Sequence, residues 1–421
     1  MIKKLRLINW KSFEDATLHI DPLTIIIGAN ASGKSNLLDA LMFLYRIGRG
    51  VGVHEAIEGG PGLPGLRGGF EWICLKPNEQ FTLEVTTDGL HDHEEYVYKL
   101  KVEVSAVTVA RILSEELTHL SWLDHDEKPK NLKLFTTSTT EGSGKVEVKY
   151  PNNTDIDHGS FIFTPNEYEQ SVLARLEPVF TVPEEVSQAS SHILKQLRSI
   201  FVFDPIPSLM RGYSRMSHSL DSDGSNIAGV LAQQISPRKE EIEKTLAAYV
   251  SVLPERDIVR VWAEGVGKFN TDAMLYCEES WSDSSTQEID ARGMSDGTLR
   301  YIAIVTALLT RERGGLMVID EVDNALHPSR ADQLLNMLKE LGKERNIDVI
   351  VTTHNPALLD AAGPSMVPFI TVAHRNEGSG HSELKLFEDI ESLPKLLAYG
   401  SLGKLSADGR IEKALKQADA K

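Results

Sequence analysis

Two kinds of hydrophobic spacing alternate along this chain, and they predict different layers of one protein. Short apolar runs, Leu23–Ile27, Leu316–Ile319 and Asp348–Thr353, have the length and the isoleucine and valine content of buried strands. Each neighbours a stretch of helical spacing. Leu37, Leu38, Leu41, Met42 and Tyr45 recur after the first, Tyr301–Thr310 precedes the second, and Ser329–Leu341 leads to the third. Elsewhere the period is two: Phe81–Val85 and Tyr96–Val104 alternate as antiparallel strands do, joined by the polar hairpin Asp88–Glu95. Strands at Lys3–Ile8 and Thr17–Ile20 flank a turn over Asn9–Asp15. Further helices are predicted over Glu167–Leu176, Val186–Ile200 and Pro237–Val250, with Pro237 near a first turn.

The remaining segments carry breakers. Nine glycines lie between Gly48 and Gly69, with Pro61 and Pro64 among them, which predicts a loop, a flexible connector that could act as a lid. The stretch to about residue 160 reads as poor in strands, with turns at Gly142–Lys145 and Pro151–Asp157. No apolar heptad is sustained, so long coiled-coil arms are not expected. His91-Asp92-His93-Glu94 sits on a hairpin tip and reads as a solvated turn.

The strand Leu23–Ile27 runs into Gly28-Ala29-Asn30-Ala31-Ser32-Gly33-Lys34-Ser35, a full GxxxxGKS loop, and the helix starts there. A triphosphate is met by backbone N–H groups at close range, and glycines at the bends permit that approach. Gly28, Asn30, Ala31, Ser32, Gly33, Lys34, Ser35 and Asn36 are therefore the expected ATP contacts. Lys34 reaches the β- and γ-phosphates, and the Ser35 hydroxyl ligates Mg²⁺.

From residue 293 a second set of motifs follows. Gly293-Met294-Ser295-Asp296-Gly297-Thr298-Leu299-Arg300 opens a helix, and Leu316–Ile319 ends in Asp320-Glu321. An apolar strand capped by two acids is a Walker B arrangement: Asp320 binds Mg²⁺ directly or through water, and Glu321 deprotonates the attacking water. The strand Asp348–Thr353 ends in His354, placed to hydrogen-bond a γ-phosphate and sense its loss. Glu321, His354 and Lys34 are the candidate catalytic residues.

In this order and spacing, Met294–Thr298 resembles the ABC-type signature in the form used by the RecF, SMC and OLD branch. Asp320-Glu321 with Asn324-Ala325-Leu326-His327-Pro328 resembles that branch's Walker B and the segment after it, and His354 resembles its switch histidine. Ile8–Phe13 and Leu220–Ile227 also resemble stand-alone bacterial ATPases with an AAA-21-type core. The resemblance implies an α/β fold: a P-loop, ABC-type ATPase head with an antiparallel β subdomain and a mostly helical inserted lobe. Its expected parts are 1–105 and 286–421 as two halves of the core and 106–285 as the insert. It further implies a homodimer or higher homo-oligomer clasped around ATP, with Ser295 and Gly297 acting in trans on nucleotide held at Lys34. It places adenine near the turn from Trp10 to Phe13. Gln80, Gln233 and Gln234 are the candidates for a Q-loop.

Composition sets the remaining bounds. With 421 residues, 41% hydrophobic and 25% charged, most of the chain is expected to be ordered. A net charge of −17 works against general attraction to DNA, so a DNA contact would need a local patch such as Arg46 with Arg49, Lys128–Lys133, or Arg211 with Arg215. Cys74 and Cys277 are too far apart in sequence for a metal pair, and the N-terminus lacks a signal peptide, which fits the cytoplasm. No apolar segment reaches membrane-spanning length, so no membrane contact is expected.

The favoured function is an ATP-hydrolysing sensor or switch in DNA repair or antiphage defence. Roughly 60 residues follow His354-Asn355-Pro356, too few for the nuclease domain of OLD-type relatives, so a nuclease or toxin effector is expected as a separate chain. Two alternatives are a transporter's nucleotide-binding subunit and a non-hydrolysing scaffold. The long stretch between Ser35 and the signature disfavours the first, and Glu321 disfavours the second.

Overall fold

The apolar runs lie at the centre of one large sheet, seen here in a computed structural model that describes residues 1–105, 109–122, 128–140, 145–150, 169–176, 182–251, 258–282, 285–324, 327–391 and 393–419. The first half supplies β1 (Ile2–Trp10), β2 (Phe13–His19), β3 (Leu23–Ile27), β4 (Gln80–Asp88), β5 (Glu94–Ser105), β6 (Val109–Ser121), β7 (Lys130–Thr140) and β8 (Lys145–Lys149). Next come β9 (Phe201–Phe203), β10 (Ser214–Arg215), β11 (Ile258–Val266), β12 (Asp272–Ser282) and β13 (Ser285–Asp290). The last are β14 (Leu316–Ile319), β15 (Asp348–Thr353), β16 (Ile370–Arg375) and β17 (Ser382–Leu386).

Among the described residues, thirteen strands form one sheet in the order β8-β7-β6-β5-β4-β1-β2-β17-β16-β3-β15-β14-β9. The run from β16 through β3, β15 and β14 to β9 is parallel, and β1, β2 and β4 to β8 form an antiparallel arm. The arm joins the parallel part narrowly, with Phe13 of β2 paired to Ser382 of β17. The strands β10 to β13 make a second, smaller sheet.

Helices cover both faces of the parallel part, which explains why its strands are apolar at consecutive positions. Leu23, Ile25 and Ile27 pack into one core with Val349, Val351, Met317 and Ile319. Ile26, Ile350 and Val318 point the other way, into the core beneath the helix Lys34–Gly48. The α/β, P-loop head architecture is therefore present.

Several expectations change. The turn expected over Asn9–Asp15 shrinks to Lys11-Ser12, because Trp10 and Phe13 already pair as strand residues. The Gly48–Gly69 stretch is not a free connector: it contains a helix, Val53–Glu58, whose Val53, Ala56 and Ile57 are fully buried. Arg46, itself buried, ties it down through the carbonyls of Ala56 and Pro64 at 2.8 and 2.7 Å. The stretch after residue 105 is rich in strands, since β6 to β8 extend the main sheet. The insert is accordingly not mostly helical, although it holds the helices Glu184–Ser199 and Arg238–Ser251. Glu167–Leu176 yields only the turn of helix Leu173–Leu176 among the described residues. Residues 142–144 and 151–157 lie outside them. The longest described helix has 16 residues, in keeping with the absence of heptads.

Candidate nucleotide site

The glycine loop leaves β3 at its C-terminal end and enters the helix Lys34–Gly48. Gly28 is indispensable for a reason the motif alone does not give: a Cβ there would lie 2.2 Å from the carbonyl oxygen of Ala373 on β16, and its φ is +154°. Gly33 has φ +109°, and a Cβ would strike the Phe13 ring and the Ser382 side chain. The helix begins with neither a side-chain cap nor an acid in its first turn. Its leading N–H groups are thus available to an anion, and the helix dipole favours one. The Ser32 hydroxyl is buried without a hydrogen-bond partner, an open valence inside the loop. Asn30 and Ala31 are exposed at the loop tip.

Lys34 is folded onto its own loop, donating to the carbonyls of Gly28 at 2.6 Å and Ala29 at 3.0 Å. Burial lowers its pKa, opposed by the nearby charges of Asp320 and Glu321. Both acids therefore lie within electrostatic reach of the lysine. Asn36 departs from expectation: its side chain donates to Ser12 at 2.8 Å and its carbonyl accepts from the Trp10 indole at 2.7 Å. It braces the loop from behind rather than presenting its amide outward.

At the end of β14 the chain turns sharply, and Glu321 sits at φ +44°, a conformation non-glycine residues rarely adopt. Thr352 on β15 holds this turn. Its hydroxyl donates to the Asp320 carboxylate at 2.5 Å and accepts from the Glu321 N–H at 2.8 Å. Thr353 binds Asp323 at 2.6 Å in the same manner. From the signature helix, Asp296–Thr310, buried Arg300 donates to the carbonyls of Asp320 at 2.7 Å, Glu321 at 3.1 Å and Pro205 at 2.7 Å. The Glu321 side chain remains 45% exposed, with His354, 61% exposed, 3.9 Å away. An exposed carboxylate beside an exposed imidazole, both on a rigidly held turn, suits proton acceptance from a bound water.

Ser295 is exposed at the N-terminus of the signature helix and caps it, its hydroxyl accepting from the Thr298 N–H at 3.1 Å. Gly297 is buried behind it. The approach to the helix is fixed by Arg211, which donates to the carbonyls of Ala291, Arg292 and Met294 and to the Asp296 carboxylate at 2.5 Å.

Thr352, Arg300 and Arg211 were not singled out for these roles by sequence. Thr352 could have been suspected, since it stands two residues before the histidine on the strand next to the acids.

Other expected positions fall elsewhere. Trp10 and Phe13 are fully buried, Trp10 against Phe43 and Phe81, so they cannot stack on adenine. Gln80 is bonded to Glu103, and Gln234 to the carbonyl of Val230 in the helix Ile227–Ala232 just before it. Arg46 is buried and engaged, which removes it from any DNA-facing pair. Residues 325–326 of the segment after Walker B lie outside the described residues.

The donors also suit magnesium. The Ser35 hydroxyl and the Asp320 carboxylate are hard oxygens, and so small a protein set is the pattern for Mg²⁺, whose other ligands are phosphate and water. Among the described residues no group of three or more His, Cys, Asp or Glu side chains gathers as a metal cage, His91–Glu94 included.

A glycine loop on a helix N-terminus, an acid pair two parallel strands away, a histidine at the end of the strand between them and a capped helix beside the acids are the parts of a P-loop ATPase site.

Comparison with known proteins agrees. Residues 229–360 match the family described as "AAA domain, putative AbiEii toxin, Type IV TA system", and residues 1–58 match "AAA ATPase domain". An ATP/GTP phosphatase of Helicobacter pylori is 21% identical over 86% of this chain and 87% of that protein. The DNA replication and repair protein RecF of Rickettsia canadensis is 22% identical over 84% and 94%. In structure, the SMC head domain from Thermotoga maritima covers 91% of this chain and 98% of its own, at 15% identity and a TM-score of 0.42. A Pyrococcus furiosus Smc head domain bound to the C-terminal domain of ScpA covers 94% and 99%, at 12% identity and a TM-score of 0.46. In sequence the chain is thus similar to AAA ATPase domains over its two ends, and along most of its length to an ATP/GTP phosphatase and a RecF protein.

Proposed function

We propose that this chain hydrolyses ATP between two copies clasped head to head, and that the cycle is a switch in DNA repair or antiphage defence, passed on to a separate nuclease or toxin. The observation carrying the catalytic part is the Thr352 hydroxyl, which aims Asp320 while fixing the backbone of Glu321 beside His354. ATP displaces the Gly28 and Ala29 carbonyls from Lys34, whose ammonium then pairs with phosphate. The helix N–H groups and Ser32 complete the cradle. Glu321 takes the proton of the attacking water, and His354 hydrogen-bonds the γ-phosphate. Mg²⁺, held by Ser35 and Asp320, neutralises phosphate charge when bound.

Pairing is supported by Ser295: an exposed, rigidly braced helix N-terminus is suited to adding donors to a phosphate on a facing copy. The RecF relative's name supports a role in repair, and the toxin–antitoxin description of the matching family supports defence. No described helix is long and apolar enough to cross a membrane; the proposed place of action is the cytoplasm.

Glu321→Gln tests the reading. ATP binding should survive, turnover should fall by roughly 10²- to 10⁴-fold, and light scattering should show an ATP-dependent dimer that persists. Unchanged turnover would remove Glu321 from the chemistry.

A further inference from the structure

A second concave site lies at the far end of the loop helix. A cavity of about 400 Å³ opens where the helices Lys34–Gly48, Glu184–Ser199 and Asp296–Thr310 all finish. The loop helix has 15 residues, so this cavity is about 22 Å from the phosphate loop along the helix. Its wall carries Arg49, Lys195, Arg198, Arg311 and Arg313 against one acid, Glu312.

Cations at helix C-termini ordinarily complement the carbonyl ends. That accounts for Arg198, which donates to the Gly48 carbonyl at 2.8 Å. It accounts for Arg311 only through a long bond to a helix-end carbonyl, and not for Arg49, Lys195 or Arg313. Arg49 bonds only the Tyr45 hydroxyl among the described residues, at 2.8 Å, and lies over the Tyr45 ring. Arg311 stacks on Phe201 with a single long bond, 3.5 Å, to the Ser199 carbonyl. The exposed side chains of Lys195 and Arg313 make no hydrogen bond or ion pair among the described residues.

Four cations without a carboxylate partner therefore converge in a chain with 61 acids and 44 Lys and Arg residues. Guanidinium groups on rigid helix ends, joined by the Tyr45 hydroxyl, match the oxygens of phosphate. The size is that of a small-molecule pocket.

We infer that this cavity is a second anion site, separate from the ATP loop, that takes a ligand bearing two or more phosphate groups. It does not depend on the dimer reading. Because its walls include the ends of both the loop helix and the signature helix, occupancy touches the far ends of the two elements that handle ATP.

The test uses the intact chain with Lys34→Ala, which disables the nucleotide loop, and inorganic tripolyphosphate as the probe. Calorimetric titration should show one tripolyphosphate per chain, with affinity falling as salt rises. Adding Lys195→Glu and Arg313→Glu should weaken binding tenfold or more. The same pair in the otherwise natural chain should leave ATP binding unchanged, which also reports an intact fold. No binding to the Lys34→Ala chain, or equal binding after charge reversal, overturns the site. A 5′-phosphorylated single-stranded oligonucleotide that displaces tripolyphosphate assigns the phosphates to nucleic acid. Failure to displace it assigns them to a free polyphosphate, and in either case the site stands.

Discussion

The two acids that end β14 are not self-supporting; a single hydroxyl on the next strand directs both. Thr352→Val keeps the shape of the side chain and removes the bond to Asp320, so the carboxylate loses its fixed direction. The Mg²⁺ concentration for half-maximal ATPase activity should rise roughly 10- to 100-fold, as for other residues that orient a metal ligand. An unaltered Mg²⁺ dependence would mean that Asp320 is held by other contacts. The acids, the lysine and the histidine stand out in the sequence because the proposed chemistry demands those residue types. Thr352 was not, because a threonine near the end of a strand is unremarkable until its neighbour across the sheet is known.

At the scale of elements, legibility followed periodicity. The strands β3, β14 and β15 are legible nearly to the residue, since burial on both faces concentrates isoleucine, valine and leucine at consecutive positions. The strand β6 was missed for a specific reason. Its inward positions include Glu115, fully buried, which accepts from the N–H groups of Val172 and Leu173 and from the hydroxyls of Tyr98 and Ser171. A carboxylate where an apolar residue is expected breaks the period-two pattern. The glycine stretch misled in the opposite sense, because its anchor, Arg46, is charged and looked like surface.

The strand β15 also carries a titratable liability at its start. Asp348 is buried, and burial raises its pKa from 3.8 to about 6. The folded state holds this proton more tightly than the unfolded chain, so stability falls as pH rises from about 4 to 6 and stays lowered above that. Asp348→Asn should gain up to about 3 kcal/mol at pH 7, and the gain should vanish by pH 4. Thermal melts at the two pH values measure it; an equal gain at both would show that ionisation is not the cause.

For the whole molecule, the decisive question is whether the signature acts on its own nucleotide or a partner's. Arg211 holds the approach to this helix within the single chain, so the surface proposed for pairing is already formed there. Ser295→Arg should leave ATP binding by each chain intact while abolishing both ATP-dependent pairing and turnover. Light scattering with and without ATP, alongside a turnover assay, distinguishes this from a cis-acting signature, for which turnover would not depend on protein concentration.

Sheet order has one further consequence. The strand that delivers Thr352, Thr353 and His354 runs between the strand feeding the phosphate loop and the strand ending in the acids. It works as a spacer gauge: the separation between the loop proposed to grip the triphosphate and the acids proposed to activate water equals two interstrand steps, about 10 Å. Because β15 is hydrogen-bonded on both edges and buried on both faces, that interval is set when the chain folds, and substrate arrives at a gap already cut to length.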